Sequence, residues 1–168
     1  AEGHTTSWEY DAVARLEWVT LPGVPESPVY HYEYDKAHNP EKITDPNGSV
    51  VDQTFDAANR LSTLTVTLGS NVEGVTAESL SYDGLNRLKS LWSDGVTTSL
   101  EWDSLSRLLS EETAGQAVGY DYDDVGNLKE LTYPSGLVVA RGHDNLNRPM
   151  EIGPWVMGGG EEPEIDAQ

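Results

Sequence analysis

Tyr82-Asp83-Gly84-Leu85-Asn86-Arg87-Leu88 is the stretch that decides the fold, because the chain carries it seven times. Close copies are Tyr10-Asp11-Ala12-Val13-Ala14-Arg15-Leu16, Phe55-Asp56-Ala57-Ala58-Asn59-Arg60-Leu61 and Trp102-Asp103-Ser104-Leu105-Ser106-Arg107-Leu108. Looser ones are Tyr34-Asp35-Lys36-Ala37-His38-Asn39-Pro40, Tyr122-Asp123-Asp124-Val125-Gly126-Asn127-Leu128 and His143-Asp144-Asn145-Leu146-Asn147-Arg148-Pro149. From aromatic to aromatic the spacings are 24, 21, 27, 20, 20 and 21 residues. A near-constant period of this size marks a repeat array, in which one unit cannot bury its apolar face without its neighbours.

Each position of the motif has a physical reason. The residues leading into it alternate: Val96, Thr98, Leu100 and Trp102 against Thr97, Ser99 and Glu101. Tyr30, Tyr32 and Tyr34 alternate in the same way, as do Val118, Tyr120 and Tyr122. Period two in β-branched and aromatic residues predicts a strand with one buried face. The Asp that follows ends the strand, its carboxylate accepting N–H groups two residues on as in an Asx-turn. Three residues later come Ala14, His38, Asn59, Asn86, Ser106, Gly126 and Asn147, where the preference for Asn and Gly predicts a positive φ. Beyond the turn, Leu61 and Leu64, Leu88 and Leu91, and Leu128 and Leu131 sit three apart, which predicts a bulge or strong local twist. Turn-rich connectors join the hairpins: Leu21-Pro22-Gly23, Asp45-Pro46-Asn47-Gly48, Ser93-Asp94-Gly95, Pro134-Ser135-Gly136 and the long segment 68–76. The expected fold is all-β: antiparallel β-hairpin repeats in a twisted or curved sheet, with length variation confined to the connectors.

The motif resembles the YD repeat of the RHS family, whose pattern is similar to Tyr-Asp-x-x-Gly-Arg-Leu. That family includes bacterial polymorphic-toxin RHS proteins, the BC subunits of Tc insecticidal toxin complexes and the animal teneurins. The resemblance covers about residues 8–152. It implies a segment of an RHS-type β-shell, in which hairpins form a long sheet that spirals into a hollow container. It also implies that the tyrosine and leucine positions pack between hairpins, while Asp and Arg serve the turns. Full shells carry dozens of repeats, so seven describe part of a wall. The self-cleaving aspartyl-protease motif of the RHS core is not visible, and Asp45-Pro46 reads as a turn rather than as a relic of it. After Ile152 the chain turns Gly-rich and acidic, through Gly158-Gly159-Gly160-Glu161-Glu162-Pro163, with no toxin domain. The expected division is a lead-in over 1–7, seven repeats over 8–152 and a tail over 153–168.

Composition excludes several chemistries. The chain has 168 residues, enough for one domain with a real core, and no cysteine, hence no disulfide, thiol catalysis or thiolate metal site. A net charge of −19 repels nucleic acid. No apolar run approaches the length needed to cross a bilayer. The seven motif Asp and the five motif Arg aside, 22 acidic residues face 5 basic ones, so the acidity belongs to the polar face, connectors and tail. His4, His31, His38 and His143 fit no zinc spacing. Asp121, Asp123 and Asp124, and Asp45, Asn47 and Asp52, offer oxygen ligands for Ca²⁺ without the spacing of an EF-hand loop, and no cofactor is expected. Asn47-Gly48-Ser49 has the pattern of a glycosylation sequon but is more simply a turn. No phosphate loop or nucleophile elbow is present.

The candidate functional residues are therefore the motif itself: Tyr10, Asp11 and Arg15; Tyr34 and Asp35; Phe55, Asp56, Asn59 and Arg60; Tyr82, Asp83, Asn86 and Arg87; Trp102, Asp103 and Arg107; Tyr122, Asp123 and Gly126; His143, Asp144, Asn147 and Arg148. They point to a non-catalytic structural module of a secreted or cell-surface protein. Its expected partners are further repeats of a parent chain, or copies of itself, meeting at open sheet edges. The alternative is a carbohydrate-binding module with exposed Tyr and Trp, assisted by Ca²⁺.

Overall fold

The computed structural model describes residues 5–23 and 29–156. The lead-in before Thr5, His4 included, and the acidic tail after Val156 lie outside them. Each of the seven motifs sits in the turn of one hairpin. β1 (Ser7–Tyr10) and β2 (Leu16–Thr20) flank the first, β3 (Val29–Tyr34) and β4 (Pro40–Thr44) the second. β5 (Val50–Phe55) and β6 (Leu61–Thr67) flank the third, β7 (Ala77–Tyr82) and β8 (Leu88–Ser93) the fourth. The remaining three lie between β9 (Val96–Trp102) and β10 (Leu108–Thr113), β11 (Gln116–Tyr122) and β12 (Leu128–Thr132), and β13 (Leu137–His143) and β14 (Pro149–Val156). β14 runs four residues past Ile152, where the tail was expected to begin.

The chain forms two compact units, Ala1–Val96 with β1 to β8 and Thr97–Gln168 with most of β9 through β14. In each, consecutive strands pair antiparallel in chain order. There is no helix among the described residues.

Of the two expectations for the second strand, the bulge is what forms. Tyr82 pairs with Leu88 and Ser81 with Ser90, which leaves Lys89 unmatched. The same slip leaves out Glu17, Glu41, Ser62, Leu109, Lys129 and Met150 in the other six hairpins. One extra residue reverses the inside–outside alternation. Positions three apart, such as Leu128 and Leu131, therefore share a face.

All seven turn residues named for a left-handed backbone have it: φ is +64° at Ala14, +69° at His38, +57° at Asn59, +65° at Asn86, +64° at Ser106, +95° at Gly126 and +60° at Asn147. Alanine has no side-chain hydrogen bond to offset that conformation. Ala14→Gly is therefore expected to stabilise the chain by about 1 kcal/mol, read as a shift in urea midpoint at unchanged m-value.

A deep core does not form. Leu131 and Val138 are the only buried apolar residues among those described, and no side chain is fully enclosed. The alternation survives in weaker form: in β9, Thr98, Leu100 and Trp102 are half-buried while Thr97, Ser99 and Glu101 are exposed. Within either unit the described strands make one sheet layer, with no second layer packed on its face. Neighbouring strands, rather than an opposing layer, supply the contacts, as in other repeat arrays.

The 68–76 connector is tied down near both of its ends. Gly69 N–H donates to Ser49 Oγ at 3.0 Å, and Ser49 is the one buried polar residue described. Its far end is tied by Asp94, whose carboxylate accepts from Thr76 N–H, Thr76 Oγ1 and Ala77 N–H, each at 2.9 Å.

Candidate functional site

The motif Asp organises its own turn with both carboxylate oxygens. Asp56 Oδ1 accepts from Ala58 N–H at 2.8 Å and Arg60 N–H at 3.0 Å, and Oδ2 accepts from Arg60 Nε at 2.7 Å. The same set recurs at Asp11, Asp83, Asp103 and Asp144. Where the sixth motif residue is Asn, its amide takes the place of the guanidinium: Asn39 Nδ2 reaches Asp35 Oδ2 at 3.0 Å and Asn127 Nδ2 reaches Asp123 Oδ2 at 2.8 Å. In every repeat the backbone then closes as well, as in Asp56 N–H to Arg60 O at 2.8 Å and Asn59 N–H to Asp56 O at 2.9 Å.

The sixth residue also reaches the next repeat, a role that the sequence reading gave to turns in general and to no particular pair. The Arg15 guanidinium lies over the Tyr34 ring at 4.5 Å, Arg60 over Tyr82 at 4.5 Å and Arg107 over Tyr122 at 4.7 Å. Its outer nitrogen meets the left-handed residue of that next turn: Arg15 Nη1 to His38 Nδ1 at 3.0 Å, and Arg60 Nη1 to Asn86 Oδ1 at 2.6 Å. Gly126 offers no side chain, and Arg107 Nη1 turns to the Asp123 carbonyl at 3.5 Å. Asn39 and Asn127 make the shorter version of the link, to Asn59 at 3.2 Å and Asn147 at 3.1 Å.

The tyrosine closes the joint from the other side. Tyr34, Tyr82 and Tyr122 hydroxyls donate to the carbonyls of Leu16, Leu61 and Leu108, at 2.7, 3.0 and 2.9 Å. Between repeats the strand ladder stops short of the bulge: β6 and β7 pair only from Thr65 with Ala77 to Thr63 with Ser79. The hydroxyl thus satisfies a carbonyl beyond the end of that ladder. Partial burial raises the Tyr34 pKa, with Arg15 opposing, so the phenol remains a donor at neutral pH. Phe55 has no hydroxyl and cannot make this bond.

Outside the joints the array is open. The fourth motif residue is apolar in all seven repeats, and Val13, Leu85, Leu105, Val125 and Leu146 stand exposed at the turn tips. Among the described residues no three His, Asp or Glu converge, Asp123 is occupied by its turn, and Asp45 Oδ1 accepts from Asn47 N–H. His31 stacks on Trp18 with centroids 3.7 Å apart.

The Teneurin YD-shell family model matches residues 24–152, most of the chain. The chain belongs to that family. No curated protein sequence matches it. Its fold is shared with a TcdB2-TccC3-Cdc42 crystal structure, at TM-score 0.70 and 15% identity over 86% of this chain. The Photorhabdus luminescens Tc holotoxin pore is similar at TM-score 0.73 and 16% identity over 89% of this chain. The chain spans about a tenth of either of these much longer polypeptides, 9% in each case.

In this YD-shell chain all seven motif carboxyls are held below the ordinary aspartate range. At Asp11 and Asp103 the backbone N–H of Arg15 and of Arg107 is the largest cause, and at Asp56 and Asp144 the Arg side chain is. At Asp35 and Asp123 it is the Asn amide, whereas at Asp83 desolvation pushes up and is outweighed by several hydrogen bonds together. A depressed folded pKa contributes stability that is present above the unfolded value, near 3.9, and is lost as pH falls through the folded value. Urea midpoints are thus expected to fall below about pH 4. Asp83→Asn, already uncharged at that site, should show a shallower acid limb, and the comparison cancels the general relief of repulsion among the other carboxylates.

Proposed function

We propose that the chain is a structural wall segment of a secreted or cell-surface YD-shell protein, without catalytic activity. The observation that carries this reading is the joint between repeats, where Arg, Tyr and the Leu carbonyl complete one another across neighbouring hairpins. The motif Asp, Arg and Tyr side chains whose hydrogen bonds and ring contacts are described build turns and joints. The family match and the fold shared with Tc structures agree with a module of this kind. Its partners would be further YD repeats.

The carbohydrate-binding alternative draws on Trp8 and Tyr10, both exposed on β1. A stacked sugar needs such rings, yet the same exposure follows from their place on an edge strand. The test is a glycan array, with and without chelator, run beside a broad hydrolase panel on the purified chain. Silence in both supports the wall reading; saturable glycan binding or enzymatic turnover overturns it.

A further inference from the structure

Along the chain, the sixth residue of one repeat goes with the aromatic that opens the next, in two kinds of pair. Arg15, Arg60, Arg87 and Arg107 precede Tyr34, Tyr82, Trp102 and Tyr122, whereas Asn39 and Asn127 precede Phe55 and His143. The backbone does not make the difference. The residue two past the seventh motif position pairs with the residue three before the next aromatic in both kinds. Trp18 with His31, Thr63 with Ser79 and Ser110 with Gly119 belong to Arg pairs, Lys42 with Asp52 and Glu130 with Ala140 to Asn pairs. One register thus serves both, and the side chains separate them. A guanidinium gains from an electron-rich ring face, while Asn is too short to cover a ring and links turn to turn. Arg15 also opposes the rise in the Tyr34 pKa, so the cation over the ring makes the hydroxyl a better donor to the Leu16 carbonyl.

We propose that the sixth residue of one repeat and the aromatic of the next form a single specificity-determining pair, which selects the repeat that can follow. An Arg repeat is completed by Tyr or Trp, and an Asn repeat by a ring that needs neither a cation over it nor a hydroxyl bond. The joint before Phe55 shows how little separates the two kinds. Asp35 Oδ2 holds Asn39 as Asp56 Oδ2 holds Arg60. Asn59 Oδ1, which accepts from Asn39 at 3.2 Å, corresponds to Asn86 Oδ1, the acceptor of Arg60. The Pro40 carbonyl stands at the seventh position, where Leu16, Leu61 and Leu108 accept from a tyrosine hydroxyl. Only the guanidinium and the hydroxyl are missing. The pairing concerns recognition between neighbouring repeats and stands apart from the wall reading, which the glycan and turnover assays test.

Double-mutant cycles on the full chain, read by urea denaturation, test the pairing. Asn39→Arg with Phe55→Tyr is expected to convert an Asn joint into an Arg joint. The unfolding equilibrium constant should fall about fivefold beyond the product of the single effects. Arg60→Asn with Tyr82→Phe should show the same coupling in reverse, the double variant losing about fivefold less than the singles predict. Arg60→Asn with Tyr34→Phe joins residues of different joints, and its effects should simply multiply. Multiplicative effects at both matched pairs, or equal coupling in the mismatched one, would overturn the proposal. The first double variant adds contacts rather than removing them, so it decides the outcome even if the second fails to fold. Hydrogen exchange in that variant should slow in β4 and β5; slowing spread evenly over the chain would count against the pairing.

Discussion

Leu131→Ala is expected to lower the unfolding free energy by about 2–3 kcal/mol, the largest loss from any single aliphatic truncation among the described residues. Leu131 stands opposite Tyr120 on β11 and Val139 on β13, and register places these three on one face. It is one of two buried apolar residues among those described. In a single sheet layer the truncated site cannot be refilled by an opposing layer, so the contacts with both flanking strands are lost together. Leu109, the bulged residue of β10, is 40% exposed, and Leu109→Ala is expected to stay within about 0.5 kcal/mol of wild type. Chemical denaturation of the two variants checks the contrast. Equal losses would mean that burial along the strand pair does not govern stability here.

Gly69→Ala is expected to cost about 2–3 kcal/mol, although the residue lies in a connector. A Cβ at Gly69 would stand 2.3 Å from the Asn47 carbonyl oxygen and 3.0 Å from the Ser49 nitrogen. Both are backbone atoms, so nothing flexible can move aside. Its φ lies outside the left-handed region, so the requirement is space alone. Lifting the connector would also break the bond from Gly69 N–H to the buried Ser49 hydroxyl. Hydrogen exchange at Gly69 and around Ser49 should accelerate in the variant, while the turn of the sixth repeat should not change. Gly74→Ala, whose Cβ meets nothing within 4 Å, serves as the control.

How far the structure was legible can be argued from particular residues. The seven turns were, because each is a local event. An Asp that accepts N–H groups two and four residues on, and an Asn or Gly with positive φ, act within a handful of positions. The bulge was half legible: the Leu88 and Leu91 spacing announced an irregularity without separating bulge from twist. The buried face was overstated, since period-two alternation reports which side of a strand is apolar and not whether anything covers it. The joints were missed although a signal for them was present, in the company that Arg keeps with Tyr or Trp and Asn keeps with Phe or His along the chain. That pattern acquires meaning only once residues fourteen to twenty-six apart, Leu108 with Tyr122 or Arg60 with Asn86, are known to touch.

By itself the sequence determined that this is an all-β array of seven hairpins, since a repeated seven-residue turn motif and period-two strands are sufficient for that. Only the tertiary structure decided what the motif is for beyond its own turn. Placing strands side by side puts the guanidinium of one repeat over the ring of the next. It also brings the tyrosine hydroxyl to a carbonyl beyond the end of the inter-repeat ladder. The physical reason is range: turn chemistry is written in neighbours along the chain, and the joint is written in neighbours across the sheet.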